Sequence, residues 1–154
     1  MPKRSAGILL YRQLESMVQL LLVHPGGPFW RSKDVGAWQI PKGEIEADEA
    51  PLHAALREVS EELGVTVTGT PSPLGTVRQA GGKIVEAFIA EQDVDVAAIR
   101  SISFEMEWPP RSGKRAVFPE VDAARWLTLD EAEAVILPSQ RPLVEAARRL
   151  LEQH

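Results

Sequence analysis

The chain has no cysteine, a single tyrosine and no block rich in lysine or arginine. The missing cysteine excludes a disulfide framework, a thiolate zinc site and a cysteine nucleophile, so any bound metal must be held by oxygen, and the composition suits a reducing compartment. Long hydrophobic runs are absent too. The apolar run nearest the start, Ala6 to Tyr11, is six residues long, whereas a membrane helix needs about 20 and a leader peptide needs a longer apolar core than this. The expectation is a cytoplasmic protein with no membrane partner. The lack of basic blocks argues against a face that grips duplex nucleic acid. With 154 residues the chain can bury a core without disulfides, and no repeat or composition break divides it, so one domain spanning 1–154 is expected.

What is present is unevenly distributed. The formal net charge is −5, but the segment GEIEADEAPLHAALREVSEELGV, Gly43 to Val65, carries seven carboxylates against one arginine and accounts for −6, leaving the rest near neutrality. Leu52, Leu56, Val59 and Leu63 recur at helical spacing, with Asp48 as an N-cap candidate, a proline tolerated in the first turn and Gly64 as the stop. At 100° per residue, Glu58, Glu61 and Glu62 share an arc of about 100°, and the apolar stripe is centred about 125° away. The acids are therefore expected on an open side of the domain, with the small Ala54 leaving room beside them. Like charges at such spacing cost roughly 0.2–0.5 kcal/mol per pair. A hard divalent cation offsets that cost, and Mg²⁺, with Mn²⁺ as a substitute, suits a sparse carboxylate set that shares its ion with substrate phosphates.

The order Gly43, Glu49, Arg57-Glu58, Glu61-Glu62, Gly64, with aliphatic Val59 and Val65, resembles the complete signature of the Nudix hydrolases. At residue frequencies of about 5–7% the coincidence would arise by chance less than roughly once in a million sequences. The resemblance implies an α/β fold of the Nudix type, an α/β/α sandwich with a mixed β-sheet. It implies that Glu58, Glu61 and Glu62 are metal ligands or, for one of them, a base, that Gly43 contributes a backbone carbonyl near the metal, and that Arg57 pairs with Glu49. The implied reaction is attack of water on a phosphorus of a diphosphate linkage in a nucleoside diphosphate derivative: a dinucleoside polyphosphate, a nucleoside triphosphate or a nucleotide sugar. The Trp38 to Gly43 lead-in and the Pro119 to Trp126 stretch look most like dinucleoside polyphosphate or capped-nucleotide hydrolases, although the tyrosine and proline that mark some subfamilies downstream of the signature are missing. The family often dimerises, so a homodimer is an expectation. A nucleotide sensor without turnover is the alternative from another class.

Outside the signature, short apolar runs and turn residues predict strands at Ala6 to Tyr11, Val18 to Val23, Trp38 to Ile40, Val65 to Thr68, Thr76 to Ala80, Lys83 to Glu91, Ile102 to Trp108 and Ala124 to Leu127. Gly81-Gly82 is expected to form a two-residue hairpin turn. A Thr128–Glu131 capping box is expected to open a helix to Ile136, and a last helix runs from Pro142 to about Glu152. Glu105 and Glu107 are candidates for a base outside the helix, or else solvated strand residues. Lys42 and the cations Arg111, Lys114 and Arg115 either contact substrate phosphates or are solvated. Trp30, Trp38 and Trp108 either stack on a nucleobase or pack internally. His24, His53 and His154 are dispersed, and none is assigned catalysis.

Overall fold

The computed structural model describes residues 3–152; His154 lies outside them. The described residues form eight strands and three α-helices: β1 (Arg4–Leu14), β2 (Met17–Pro25), β3 (Lys42–Glu44), α1 (Pro51–Leu63), β4 (Ser72–Arg78), β5 (Ile84–Glu91), β6 (Ser103–Glu107), β7 (Arg115–Pro119), β8 (Val121–Thr128), α2 (Leu129–Val135) and α3 (Arg141–Glu152). The main sheet runs β4-β5-β1-β2-β8, with β3 attached to β1. β1 and β5 are parallel while the other pairs are antiparallel, so the sheet is mixed.

Successive strand residues point to opposite faces, and the two apolar clusters separate accordingly. Ile8, Leu10, Leu21 and Val23 pack with Ala54, Ala55, Val59 and Leu63 of α1. Leu9, Leu20 and Leu22 pack with Leu143, Val144 and Ala147 of α3 and with Ala132 of α2. A helical layer therefore covers each face, which explains why β1 and β2 read as continuous apolar runs.

The sheet forks at its centre. Tyr11 to Leu14 of β1 pair with Leu20 to Met17 of β2, but nearer its start Ser5 to Gly7 pair with Glu44 to Lys42 of β3. Beyond Leu20, β2 leaves β1 and stays paired with β8 along its other edge. The segment before β3 fills the gap: Gln39 and Val23 exchange backbone hydrogen bonds of 2.9 and 2.8 Å, and the Ile8 amide donates to the Pro41 carbonyl at 3.3 Å. Gly7 permits this approach, since a Cβ there would lie 2.4 Å from the Pro41 oxygen.

Several local expectations are corrected. Val65 to Thr68 forms no strand; its neighbour is the Gln92 side chain, which accepts from the Thr68 amide and donates to the Thr66 carbonyl. Trp38 to Ile40 makes only isolated bridges to Val23 and Ile136, and the strand proper starts at Lys42. The β4–β5 connection is longer than two residues, with a 3₁₀ turn over Ala80–Gly82 and positive φ at both Gly81 and Gly82. A strand not expected from the sequence, β7, begins at Arg115 and pairs with β6 in a separate two-stranded ribbon.

Candidate active site

Helix α1 begins at Pro51 with Ala50 as its N-cap and no side-chain cap. Asp48 is not the cap, because it adopts φ 64° two residues before that position. The C-terminus follows expectation: Gly64 sits at φ 69° and its amide donates to the Ser60 carbonyl. The buried face of α1 is Ala54, Ala55, Val59 and Leu63, while Leu52 and Leu56 are only partly covered. Ala54 is wholly buried, so it does not open space beside the acids. The burial stripe is rotated toward the acidic face, and Glu58 is pressed against β3 instead of facing open solvent.

Gly43 makes that contact possible. A Cβ on Gly43 would lie 2.0 Å from Cδ of Glu58 and 2.2 Å from each of its oxygens. Only glycine fits here. Gly43→Ala is expected to displace the Glu58 carboxylate and lower turnover by about 10²-fold, the usual cost of a misplacement near 1 Å, in a steady-state assay on protein that still melts cooperatively.

Arg57 ties the preceding loop to the helix with all five of its donors. Its Nε and Nη2 form a bidentate pair with Glu49 at 2.9 and 3.0 Å, and Nη2 also reaches the Glu44 carbonyl at 3.0 Å. Nη1 donates to Glu58 at 2.9 Å and to Glu61 at 3.2 Å. The hydrogen bonds from Arg57, helped by the Glu46 amide, lower the Glu49 pKa to about 2. Glu49 in turn is the first cause of the raised Arg57 pKa.

The opposite happens on the inner side. Burial raises the Glu58 carboxyl, with Arg57 opposing and Glu61 reinforcing the shift. Burial, followed by repulsion from Glu58, raises Glu62 to about 8. Glu62 accepts from the Lys42 amide at 3.2 Å, and burial lowers the Lys42 ammonium despite the adjacent Glu62. A cavity of about 190 Å³ lies in the sheet fork, walled by Val23, Pro25, Ile40, Lys42, Glu62 and Glu120.

Glu120 was not singled out in the sequence. It lies at the β7–β8 junction, where its amide donates to the Ile102 carbonyl and its carbonyl accepts from the Gly26 amide. Its charge raises both Glu58 and Glu62. No periodic or spacing signal could have found it, because it reaches the helix only through tertiary folding.

The other candidates fall elsewhere. Glu107 accepts from the Arg111 amide at 2.8 Å, and Glu105 pairs with the Arg115 guanidinium, so all three side chains are engaged within the ribbon. Trp38 is 5% exposed. Its indole donates to Asp34 and its ring packs edge-on against His24, so the stacking expectation for Trp38 is corrected to internal packing.

Among the described residues, no three carboxylate or imidazole side chains converge on one point at ligand distance. Arg57 draws Glu58 and Glu61 to itself, while Glu62 turns to Lys42. The donor chemistry nevertheless fits a hard cation: three carboxylates on one helix, one of them packed directly over Gly43, and Glu62, whose pKa is raised by burial and then by repulsion from Glu58.

The three layers and the glycine, arginine and glutamate pattern define a Nudix domain, and the NUDIX family model matches residues 1–153. The chain belongs to this family. It is a hydrolase that cleaves a diphosphate linkage in nucleoside diphosphate derivatives, in a family that is generally dependent on a divalent metal. It is similar to the RNA pyrophosphohydrolase of Rhodospirillum rubrum, 30% identical over 153 residues, covering 94% of this chain and 88% of the relative. The asymmetrical bis(5'-nucleosyl)-tetraphosphatase of Sus scrofa is 28% identical over 147 residues, covering 86% of this chain and 83% of that protein. Among solved structures, a C. elegans Ap4A hydrolase binary complex superposes with TM-score 0.71 at 20% identity, covering 97% of this chain and 99% of the other.

Proposed function

We propose that this chain hydrolyses the oligophosphate attached to a nucleoside 5′ position, as found at a phosphorylated RNA end or in a dinucleoside polyphosphate. The observation that carries the reading is the fork cavity, where Lys42, Glu62 and Glu120 meet beside the Arg57-organised carboxylates. The names of the R. rubrum and S. scrofa relatives support the same substrate chemistry. Glu58, Glu61 and Glu62, with the Gly43 carbonyl, are the groups that would hold Mg²⁺, or Mn²⁺ in its place. When bound, such an ion supplies positive charge for the phosphate oxygens and acidity for the attacking water.

The chain's own residues do the remainder. Lys42 offers its ammonium to a phosphate, and Arg57 holds the helix acids against the loop. Glu120 faces the same cavity from a different element and takes the proton of the attacking water, passing it to solvent from its exposed position. Glu120→Gln is expected to lower kcat by about 10²-fold, whereas Glu107→Gln leaves it unchanged; the reverse pattern in a pyrophosphate-release assay would return the base to the ribbon. We further propose a single domain over 1–154 acting in the cytoplasm on a nucleotide substrate, as a homodimer. The family match over residues 1–153 supports the first point. Among the described residues no helix is long and apolar enough to cross a membrane.

The deciding experiment incubates the protein and Mg²⁺ with a nucleotide panel in ¹⁸O-water, so that the labelled product names both the substrate and the phosphorus attacked. Tight binding of one nucleotide without turnover would instead favour a sensor.

A further inference from the structure

The loop 26–36 and the free end of the β6–β7 ribbon form a shelf that the chemistry above does not use. Phe29 is 67% exposed, although large aromatic side chains are usually covered. Its ring meets the Trp108 ring edge-on, with centroids 6.3 Å apart, so loop and ribbon share one aromatic contact. Behind it, Gly27 at φ 100° closes on Phe104, whose ring would lie 3.0 Å from a Cβ at that position.

The shelf is also held from beneath. His24 bridges the Asp122 carboxylate of β8 at 2.8 Å and the Lys33 carbonyl of the loop at 2.6 Å. The loop that presents Phe29 is thus fastened to the main sheet.

Its unpaired charge is positive, since the two acids beside it are engaged: Asp34 accepts from the Trp38 indole and Glu107 from the Arg111 amide. Arg31, Lys33, Arg111 and Lys114 are exposed, and among the described residues none of the four forms a salt bridge, whereas Arg4, Arg12, Arg57, Arg115 and Arg148 all do. Lys33 lies 5.5 Å from the Trp30 ring. Unpaired cations around the exposed Phe29 and the half-buried Trp30 and Trp108 match the two components of a single strand, phosphates and base faces.

The position relative to the cavity favours a strand over a free nucleotide. The Ser103–Pro119 end of the ribbon adjoins Glu120, and Trp108 follows five residues after Ser103. At about 3.3 Å per strand residue the separation is roughly 16 Å, beyond the reach of a single nucleotide and within that of a short single strand.

We infer that this shelf binds the single-stranded body of an RNA whose phosphorylated 5′ end enters the fork cavity: Phe29 and Trp108 stack a base, and Lys33, Arg111 and Lys114 meet the phosphates. The inference rests on the reading that the cavity hydrolyses a 5′-oligophosphate. It narrows that reading to RNA. A shelf of this kind tolerates any sequence, because every base has a face to stack.

The test uses the full chain and a short single-stranded RNA with a 5′-hydroxyl end and a 3′ fluorophore, so that binding is read by anisotropy without hydrolysis. Trp108→Ala and Phe29→Ala are each expected to weaken binding by about tenfold, as for one lost base stack. Trp108→Phe, which keeps a ring against Phe29, retains most of the binding. Arg111→Ala combined with Lys114→Ala should flatten the salt dependence by a slope of about 1.4, from about 0.7 per phosphate contact on a single strand. Melting curves on the same samples show that each variant is folded. Equal affinity across wild type and variants overturns the shelf. Hydrolysis of a dinucleoside tetraphosphate by a wild type that does not bind this RNA also overturns the shelf, yet leaves the oligophosphate reading standing. RNA binding lost as expected in the variants, with no hydrolysis of any 5′-oligophosphate, sinks that reading while the shelf survives.

Discussion

Replacing both Glu58 and Glu62 by glutamine is expected to reduce kcat by about 10²- to 10⁴-fold, with the fold intact by circular dichroism. These two carboxylates are partly buried, mutually repelling and placed against Gly43 and Lys42. Amides keep the shape but lose the charge that a divalent cation requires. A double variant retaining wild-type turnover would refute the mechanism.

The same pair predicts a pH effect on stability without metal. Glu62 has its pKa raised by burial to about 8, from an unfolded value near 4.5. Between these values the folded state holds a proton that the unfolded state has released, so stability falls as pH rises through this window. In chelator, the wild-type melting temperature should therefore decline more steeply from pH 5 to about pH 8 than that of Glu62→Gln, which has no proton to lose there. Added Mg²⁺ should stabilise the wild type more at the upper end of the window, because binding to deprotonated carboxylates releases protons. A metal effect independent of pH would count against Glu62 as a ligand.

The second large effect is expected at Arg57. Arg57→Ala removes every hydrogen bond that joins Glu44, Glu49, Glu58 and Glu61, leaving three carboxylates to repel one another on the loop and helix. Turnover should fall by about 10²-fold through misplacement. Arg57→Lys should recover little, since an ammonium cannot reproduce the planar fork. Acid sensitivity separates this role from a purely local one. Glu49 contributes stability that is present above its unfolded pKa and is lost as pH falls toward about 2. In Arg57→Ala that acid limb should weaken, as followed by fluorescence during acid titration.

The placement of the signature residues was legible in the sequence because it is local: Gly43 lies on β3, Glu49 in the loop after it, and Arg57, the three glutamates and Gly64 on one helix or at its end. The alternation of cores across β1 and β2 was legible as apolar runs. What could not be read depends on which surfaces meet. Trp38 has the composition of a stacking residue, but the fork closes over it. Val65 to Thr68 has strand-like residues and no partner strand. Ala54 occupies the acidic side of the wheel, yet it is buried because the helix leans toward β3. Glu120 and the ribbon depend on pairing between residues brought together only by the whole chain.

The fork in the sheet divides the chain by how freely it can vary. Residues 37–43 are stitched on both sides, through Gln39 to Val23 and through Pro41 to Ile8, so an insertion there would pull apart a central sheet seam. The loop 26–36 leaves from the same opening but is fastened at intervals, through Gly26 to Glu120, Lys33 to His24, Asp34 to Trp38 and Gly36 to Val135. Lengthening or recolouring its tip is expected to leave the acids in place. On the proposed reading, chemistry and choice of substrate are expected to vary separately within one short stretch of sequence, and libraries randomised at 28–32 should alter preference while sparing the reaction itself.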